Sequence, residues 1–185
     1  RVLAEQFDRV VDFESIDSYH LGDSFRLAPG ELEEFMRVAH EPEALAAIEP
    51  MPGAAEGLGA WVEAGYEVLI ITGRPPTTRG VTEEWLAHHD VPHSEFLFLD
   101  KLSQYYDGAH GTSDGAMTLA DLPALDLCLA VEDFPGITGH LTEELGVPVA
   151  LFDRPWNRSL DGNGDGAPLV RCRDWSEIRQ RFPSP

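Results

Sequence analysis

The chain is poor in basic residues and almost devoid of lysine. Lysine and arginine together account for 13 of its 185 residues, against 33 aspartates and glutamates, so the formal net charge is −20. This deficit argues against binding along a nucleic-acid polymer, because contacts to the phosphate backbone require clustered cations. A single phosphorylated small molecule needs one well-placed cation. Lys101, the only lysine, is a candidate for that role.

Cysteines and long apolar runs are also scarce. The two cysteines, Cys128 and Cys172, both fall in apolar stretches that we interpret as strands, and we predict that they are reduced core residues of a cytoplasmic protein. No apolar run approaches the ~20 residues that a membrane-spanning helix needs, so we expect no membrane partner. The hydrophobic fraction of 43%, with 17 glycines and 14 prolines, is typical of a globular chain.

The remaining sequence alternates apolar strands with amphipathic helices after residue 50. Continuous apolar strands separated by helices predict a parallel sheet covered on both faces, in a doubly wound, Rossmann-like α/β fold. The carboxyl ends of such strands meet at one edge, where ligands bind. We predict strands at 66–71, 95–99, 126–131, 147–152 and 169–173, and helices at 53–65, 77–88, 137–145 and 175–182.

The first fifty residues contain helical patterns at 2–10 and 31–40, a further turn at 43–48, and no confident strand. A helical patch before the first strand of an α/β sheet is suited to a cap over the active edge. Four aromatic residues in this region could line a base-stacking pocket or form a miniature core of the cap, and we favour the core: Phe13, Tyr19, Phe25 and Phe35.

Polar residues follow three of the predicted strands. Thr72, Gly73 and Arg74 come after the first, where a hydroxyl and free backbone N–H groups at a strand-to-helix turn can bind a phosphoryl group. A plain glycine turn with an exposed arginine explains these three residues equally well when they are considered alone.

The next two strand ends carry charged residues. Lys101 follows Asp100 and could neutralise phosphate charge in a transition state, or it could be a solvated surface lysine. Glu132 and Asp133 are adjacent carboxylates, and Mg²⁺ is held by one or two carboxylates together with waters and substrate phosphate. An acidic helix start before Pro135 is the structural alternative for this pair.

Taken together, the three strand ends resemble the second, third and fourth motifs of the haloacid dehalogenase (HAD) superfamily. Longer segments resemble the 5'(3')-deoxyribonucleotidases within it, namely EPMPGA at 49–54, EDFPGITG at 132–139, LFDRPWN at 151–157 and RDWSEI at 173–178. The resemblance covers nearly all of residues 1–182 and is strongest after residue 49.

This resemblance implies Mg²⁺-dependent hydrolysis of a phosphate monoester, such as a (deoxy)nucleoside 5'-monophosphate, through an aspartyl-phosphate. Thr72 and Gly73 would bind the transferred phosphoryl group, with Arg74 beside them. Lys101 would be the stabilising cation. Asp133 would ligate Mg²⁺, and its neighbour Glu132 would hold a metal-bound water or orient Asp133. A phosphatase for sugar phosphates and a non-catalytic phosphate-binding module on the same scaffold stay open, as does the oligomeric state, with a homodimer among the alternatives.

The first motif of the superfamily, a D-x-D-G-V pattern that carries the nucleophile, does not occur in the sequence. We expect the nucleophile and the central first strand N-terminal to Arg1. Residues 1–12 would then be the helix after that motif, 13–48 the cap and 49–185 the α/β core. Asp12 and Glu14 form the nearest carboxylate pair and are the less favoured replacement, because the apolar run before them is short and interrupted by Arg9.

Two further patterns have simpler explanations than a metal site. His88, His89 and His93 lie near Asp90 at the end of a predicted helix, and we interpret them as surface histidines and not as zinc ligands. The segment DGNGDG at 161–166 resembles the start of a calcium loop. Its twelfth position is Cys172 and not glutamate, so we predict a glycine-rich turn there.

Overall fold

The computed structural model describes residues 2–100, 115–160 and 168–183. The chain divides into two units. The first unit comprises residues 1–44 and 128–174, and the second comprises residues 45–127 and 175–185. Lys101 and the DGNGDG segment lie outside the described residues. No helix within the described ranges is long and apolar enough to cross a membrane.

The second unit contains a two-stranded parallel sheet. Strand β1 pairs with β2 in a register that runs from Leu69 opposite Glu95 to Thr72 opposite Phe98. Thr72 therefore ends β1 at the carboxyl edge of this sheet. The regular elements of this unit, with α4 shared between the units, are α4 (Pro42–Ala46), α5 (Ala54–Glu63), β1 (Leu69–Thr72), a 3₁₀ turn (Pro76–Thr78), α6 (Arg79–His88), β2 (Glu95–Phe98), a 3₁₀ segment (Leu119–Leu125) and α8 (Trp175–Arg181).

Helices α5 and α8 pack through aromatic residues in the core of the second unit. The rings of Trp61 and Trp175 are 6.1 Å apart, and the Trp61 indole N–H donates to the carbonyl of Phe182 at 2.9 Å. Gly57 allows this close approach, because a Cβ at its position would lie 2.8 Å from the Trp175 ring. Both tryptophans are buried.

The first unit contains a three-stranded parallel sheet with the order β3-β4-β5. The central strand β4 is buried along its whole length, as expected for a strand covered on both faces. The regular elements of this unit are α1 (Val2–Phe7), a 3₁₀ turn (Phe13–Ser15), α2 (Leu21–Ser24), α3 (Pro29–Ala39), β3 (Ala130–Glu132), α7 (Pro135–Gly139), a π-helical turn (His140–Glu144), β4 (Val149–Phe152), a 3₁₀ turn (Pro155–Asn157) and β5 (Leu169–Cys172).

The structure confirms an α/β architecture with parallel strand pairing. The described strands form two sheets, so one continuous doubly wound sheet around a central first strand stays a prediction. Gly65 and Gly146 have positive φ angles of 92° and 69°, which confirms the predicted helix ends before them.

Several predicted bounds were wrong. The predicted strand at 126–131 begins only at Ala130, because Asp126 is left-handed with a φ of 48° and Cys128 is exposed. Both cysteines are free thiols. Cys172 is buried in β5, whereas Cys128 is exposed, so the prediction of a core cysteine was wrong for Cys128. The first helix ends at Phe7, because Asp8 is left-handed with a φ of 49°. The predicted strand at 66–71 is shorter and begins at Leu69.

Candidate functional site

The turn after β1 folds back onto the hydroxyl of Thr72. The backbone N–H of Arg74 donates to Thr72 Oγ1 at 3.3 Å, so the hydroxyl and this amide lie together at the end of the strand. Gly73 is exposed between them. The structure therefore groups the three residues predicted for phosphate binding at the carboxyl edge of the sheet of the second unit.

Arg74 is a half-buried cation. Its guanidinium donates to the hydroxyl of Thr82 at 3.3 Å, and it makes no ion pair within the described part of the chain. Burial lowers the pKa of Arg74, because desolvation disfavours the charged form. A partly dehydrated cation with a neutral hydrogen-bond partner is a favourable binding position for an anion. Such a cation is unusual in a chain with this many acidic residues.

The two predicted metal ligands lie at the end of β3 in the first unit, where Glu132 is the last residue of the strand and Asp133 follows it. Glu132 Oε1 accepts hydrogen bonds from the backbone N–H groups of Asp133 at 3.0 Å and Phe134 at 2.9 Å. Glu132 therefore stabilises the backbone at the start of α7, which has Pro135 as its first residue. The contact involves the backbone of Asp133, and the role of Glu132 in orienting the Asp133 carboxylate stays a prediction.

The backbone carbonyl of Asp133 is held by two side chains from the turn after β4. Trp156 Nε1 donates to it at 3.1 Å and Asn157 Nδ2 at 3.0 Å. Trp156 and Asn157 have no role assigned from the sequence alone. They lie in the 3₁₀ turn after β4, and the resemblance of the LFDRPWN segment is the signal that could have drawn attention to them.

Charged groups surround this turn. The Arg154 guanidinium lies 4.1 Å from the centre of the Phe152 ring, and burial lowers the pKa of Arg154 while the carboxylates of Asp133 and Asp153 oppose that shift. Asp153 pairs with Arg171 at 2.6 Å. The carboxylates of Asp133 and Asp153 thus both lie near the Arg154 guanidinium.

The chemistry of the Glu132–Asp133 pair fits Mg²⁺. The described ranges contain no cluster of three or more histidines, cysteines, aspartates or glutamates that could enclose a metal by themselves. Mg²⁺ does not require such a cage, because it is held by one or two carboxylates together with waters and phosphate oxygens. Asp133 supplies one carboxylate. Glu132 uses Oε1 in its backbone contacts.

Asp12 and Glu14 do not end a strand. They lie at a 3₁₀ turn after Val10, whose surface is 91% exposed, and Glu14 pairs with Arg158. The low ranking of this pair as a nucleophile site agrees with that placement.

At the end of α6, His88 and His89 stack edge to face with ring centres 4.8 Å apart, and His93 Nδ1 lies 2.8 Å from the carbonyl of Val91.

The four aromatic residues predicted for the cap divide into two groups. Phe25 and Phe35 pack edge to face at 5.5 Å, and Phe35 also contacts Phe7, as a miniature core requires. Tyr19 stacks on Phe134 with ring centres 4.0 Å apart, and Phe13 meets Trp156 at 5.8 Å. This second group lies beside the turn that holds Asp133.

Comparison with known proteins gives partial similarities. Residues 38–111, which include the Thr72–Arg74 turn and end before β3, match the model of the LNS2 domain of PITM 1-3. A protein of Halalkalibacterium halodurans named "Putative nucleotidase BH1399" is 24% identical over 179 residues, covering 96% of this chain and 80% of that protein. Membrane-associated phosphatidylinositol transfer protein 3 of Mus musculus is 37% identical over 51 residues, covering 28% of this chain and 5% of that protein. Protein retinal degeneration B of Drosophila melanogaster is 39% identical over 51 residues, covering 28% of this chain and 4% of that protein.

Proposed function

We propose that this protein is a Mg²⁺-dependent phosphomonoester hydrolase of the HAD superfamily that acts on (deoxy)nucleoside 5'-monophosphates. The observation that carries the proposal is the placement of Asp133 at the carboxyl end of a parallel strand, with its backbone held on both sides. The similarity to a protein named as a nucleotidase, across 96% of this chain, supports the choice of substrate.

In this proposal, each predicted site residue has a defined role. Asp133 binds Mg²⁺, and Glu132 holds Asp133 in place. Thr72 and Gly73 bind the transferred phosphoryl group, while Arg74 and Lys101 compensate its charge. Bound Mg²⁺ would neutralise negative charge on the phosphate oxygens.

The test is a substrate panel measured as phosphate release by the native gene product in Mg²⁺. Nucleoside 5'-monophosphates are compared with sugar phosphates. We expect turnover of the nucleotides and its loss in Asp133→Asn, which removes the charge of the metal ligand. Asp126→Asn is the matched control, because Asp126 is exposed and asparagine tolerates its left-handed backbone. A profile restricted to sugar phosphates would exclude the nucleotidase assignment, and equal activity of the two variants would exclude the role of Asp133.

Phosphate binding without hydrolysis is the second candidate. It is favoured by the match of residues 38–111, which contains the Thr72–Arg74 turn but not the carboxylate pair of β3, and by the half-buried cation of Arg74. Calorimetry with inorganic phosphate separates the two functions. Phosphate binding that is independent of Mg²⁺, in a native gene product with no turnover of any monoester, would support the binding module.

A further inference from the structure

We infer that Trp156 and Asn157 are positioning residues, which clamp the backbone carbonyl of Asp133 and thereby restrict where its carboxylate can lie for metal binding. This inference rests on the proposed function, because it assigns the clamp a purpose that only a metal-binding Asp133 would require. Both residues lie in the 3₁₀ turn that follows β4.

Two side chains donate to the backbone carbonyl of Asp133. A backbone carbonyl has two lone pairs, and here one accepts the indole N–H of Trp156 at 3.1 Å and the other the amide of Asn157 at 3.0 Å. Neither donor is a backbone group, so no helix or strand ladder explains the arrangement. The direction of this carbonyl, and with it the peptide plane between Asp133 and Phe134, is fixed by two side chains from a distant part of the sequence.

The Asn157 side chain is 0% exposed, and it uses its full hydrogen-bonding capacity. Besides the Asp133 carbonyl, Nδ2 donates to the carbonyl of Phe152 at 2.8 Å. Oδ1 accepts from the Arg171 guanidinium at 2.7 Å and from the backbone N–H of Arg154 at 3.2 Å. Two donors and two acceptor positions exhaust the capacity of an amide. Asn157 therefore connects β4 and β5 to the end of β3.

Arg171 supports the clamp from behind. Its guanidinium also bonds Asp153 at 2.6 Å and the carbonyls of Asn157 and Leu160, both at 3.0 Å. Bonds to charged groups are the stronger ones in proteins. The Asn157 amide is consequently held in one orientation, with Nδ2 directed at Asp133.

The backbone on the amino side of Asp133 is held as well. Glu132 Oε1 accepts the N–H groups of Asp133 and Phe134, so the polar backbone groups on both sides of the Asp133 Cα have partners. With the backbone fixed, the carboxylate can move only by rotation about its own side-chain bonds. A metal ligand with this restriction loses less conformational freedom on binding, and such outer partners commonly affect metal affinity about 10- to 100-fold.

The test measures Mg²⁺ affinity by calorimetry, without any substrate. Trp156→Phe keeps an aromatic ring and removes one donor. Asn157→Asp keeps the shape of the side chain, and it replaces Nδ2, which donates both hydrogen bonds, with an oxygen. Trp85→Phe is the matched control, because Trp85 Nε1 also donates to a backbone carbonyl, that of Ile48 at 2.6 Å, but belongs to the second unit. Thermal melts without Mg²⁺ measure any general loss of stability.

We expect Trp156→Phe to raise the Kd for Mg²⁺ about 10-fold, and Asn157→Asp to raise it at least as much, with Trp85→Phe unchanged. Trp156→Phe decides the question if Asn157→Asp does not fold. A folded Trp156→Phe variant with the wild-type Kd would overturn the clamp while leaving the proposed function intact. If the Asp133→Asn variant bound Mg²⁺ with the wild-type Kd, both the clamp and the proposed function would be overturned.

Discussion

Arg74 shows what a single residue contributes to the candidate site. Its guanidinium is partly dehydrated and its hydrogen-bond partner is the neutral hydroxyl of Thr82. Burial of this cation carries a cost, because desolvation disfavours the charge and no carboxylate among the described residues pairs with it. A bound anion would offset this cost if Arg74 binds phosphate as proposed.

Arg74→Met should therefore weaken phosphate binding and leave stability unchanged or raised. A hydrogen bond to a charged group contributes about 1.5–3 kcal/mol, so the Kd for inorganic phosphate should rise about 10-fold or more. Calorimetry measures the Kd and urea unfolding the stability. Arg79→Met is the control, since Arg79 is exposed and pairs with Glu83 along α6. Lower stability with an unchanged Kd would instead mark Arg74 as a structural residue.

At the level of elements, local signals in the sequence identified most helices and strands. Gly65 and Gly146 ended helices as predicted, because glycine takes the left-handed conformation without strain. The same conformation at Asp8 and Asp126 was missed, because aspartate adopts it only where the surrounding structure favours it.

Contacts between distant segments could not be predicted in the same way. The bonds from Trp156 and Asn157 to Asp133 span 23 and 24 residues. These bonds depend on how distant strands and turns pair, and no local sequence pattern predicts that pairing. The placement of Thr72 and Asp133 at strand ends was predicted correctly, because it follows from the strand positions alone. The clamp that holds Asp133 became visible only in the structure.

The contact between α5 and α8 gives a prediction at this level. Gly57→Ala would place a Cβ 2.8 Å from the rigid Trp175 ring, so one helix must shift. Overpacking of this kind commonly costs about 1–3 kcal/mol, against a gain of up to about 1 kcal/mol in helix propensity. We expect a net loss of stability in urea unfolding.

Gly59→Ala tests the same exchange on the same helix without the close contact. Its Cβ would meet Pro92 at 3.7 Å, an ordinary van der Waals distance. This control should be neutral or slightly more stable than the wild type. A Gly57→Ala variant as stable as Gly59→Ala would show that the two helices adjust at no cost.

For the whole molecule, the net charge of −20 is the dominant property. Self-repulsion at this charge density opposes folding, and dissolved cations screen it over a Debye length that falls from about 10 Å at 0.1 M salt to about 3 Å at 1 M. Acidic surfaces of this kind occur in proteins adapted to high salt.

The melting temperature should therefore rise between 0.1 M and 1 M NaCl. The measurement is a thermal melt followed by circular dichroism at pH 7, with 1 M glycerol in place of salt as a control for solute effects that do not involve charge. A melting temperature that does not change with NaCl would contradict salt adaptation.

The central claim is that Asp133 binds Mg²⁺ for the hydrolysis of nucleoside 5'-monophosphates. The most direct measurement is phosphate release from these nucleotides by the native gene product, first with Mg²⁺, then after its removal with EDTA, and finally after Mg²⁺ is restored. We predict that hydrolysis stops on removal and returns on restoration. Hydrolysis that continues at the same rate in EDTA would contradict the claim.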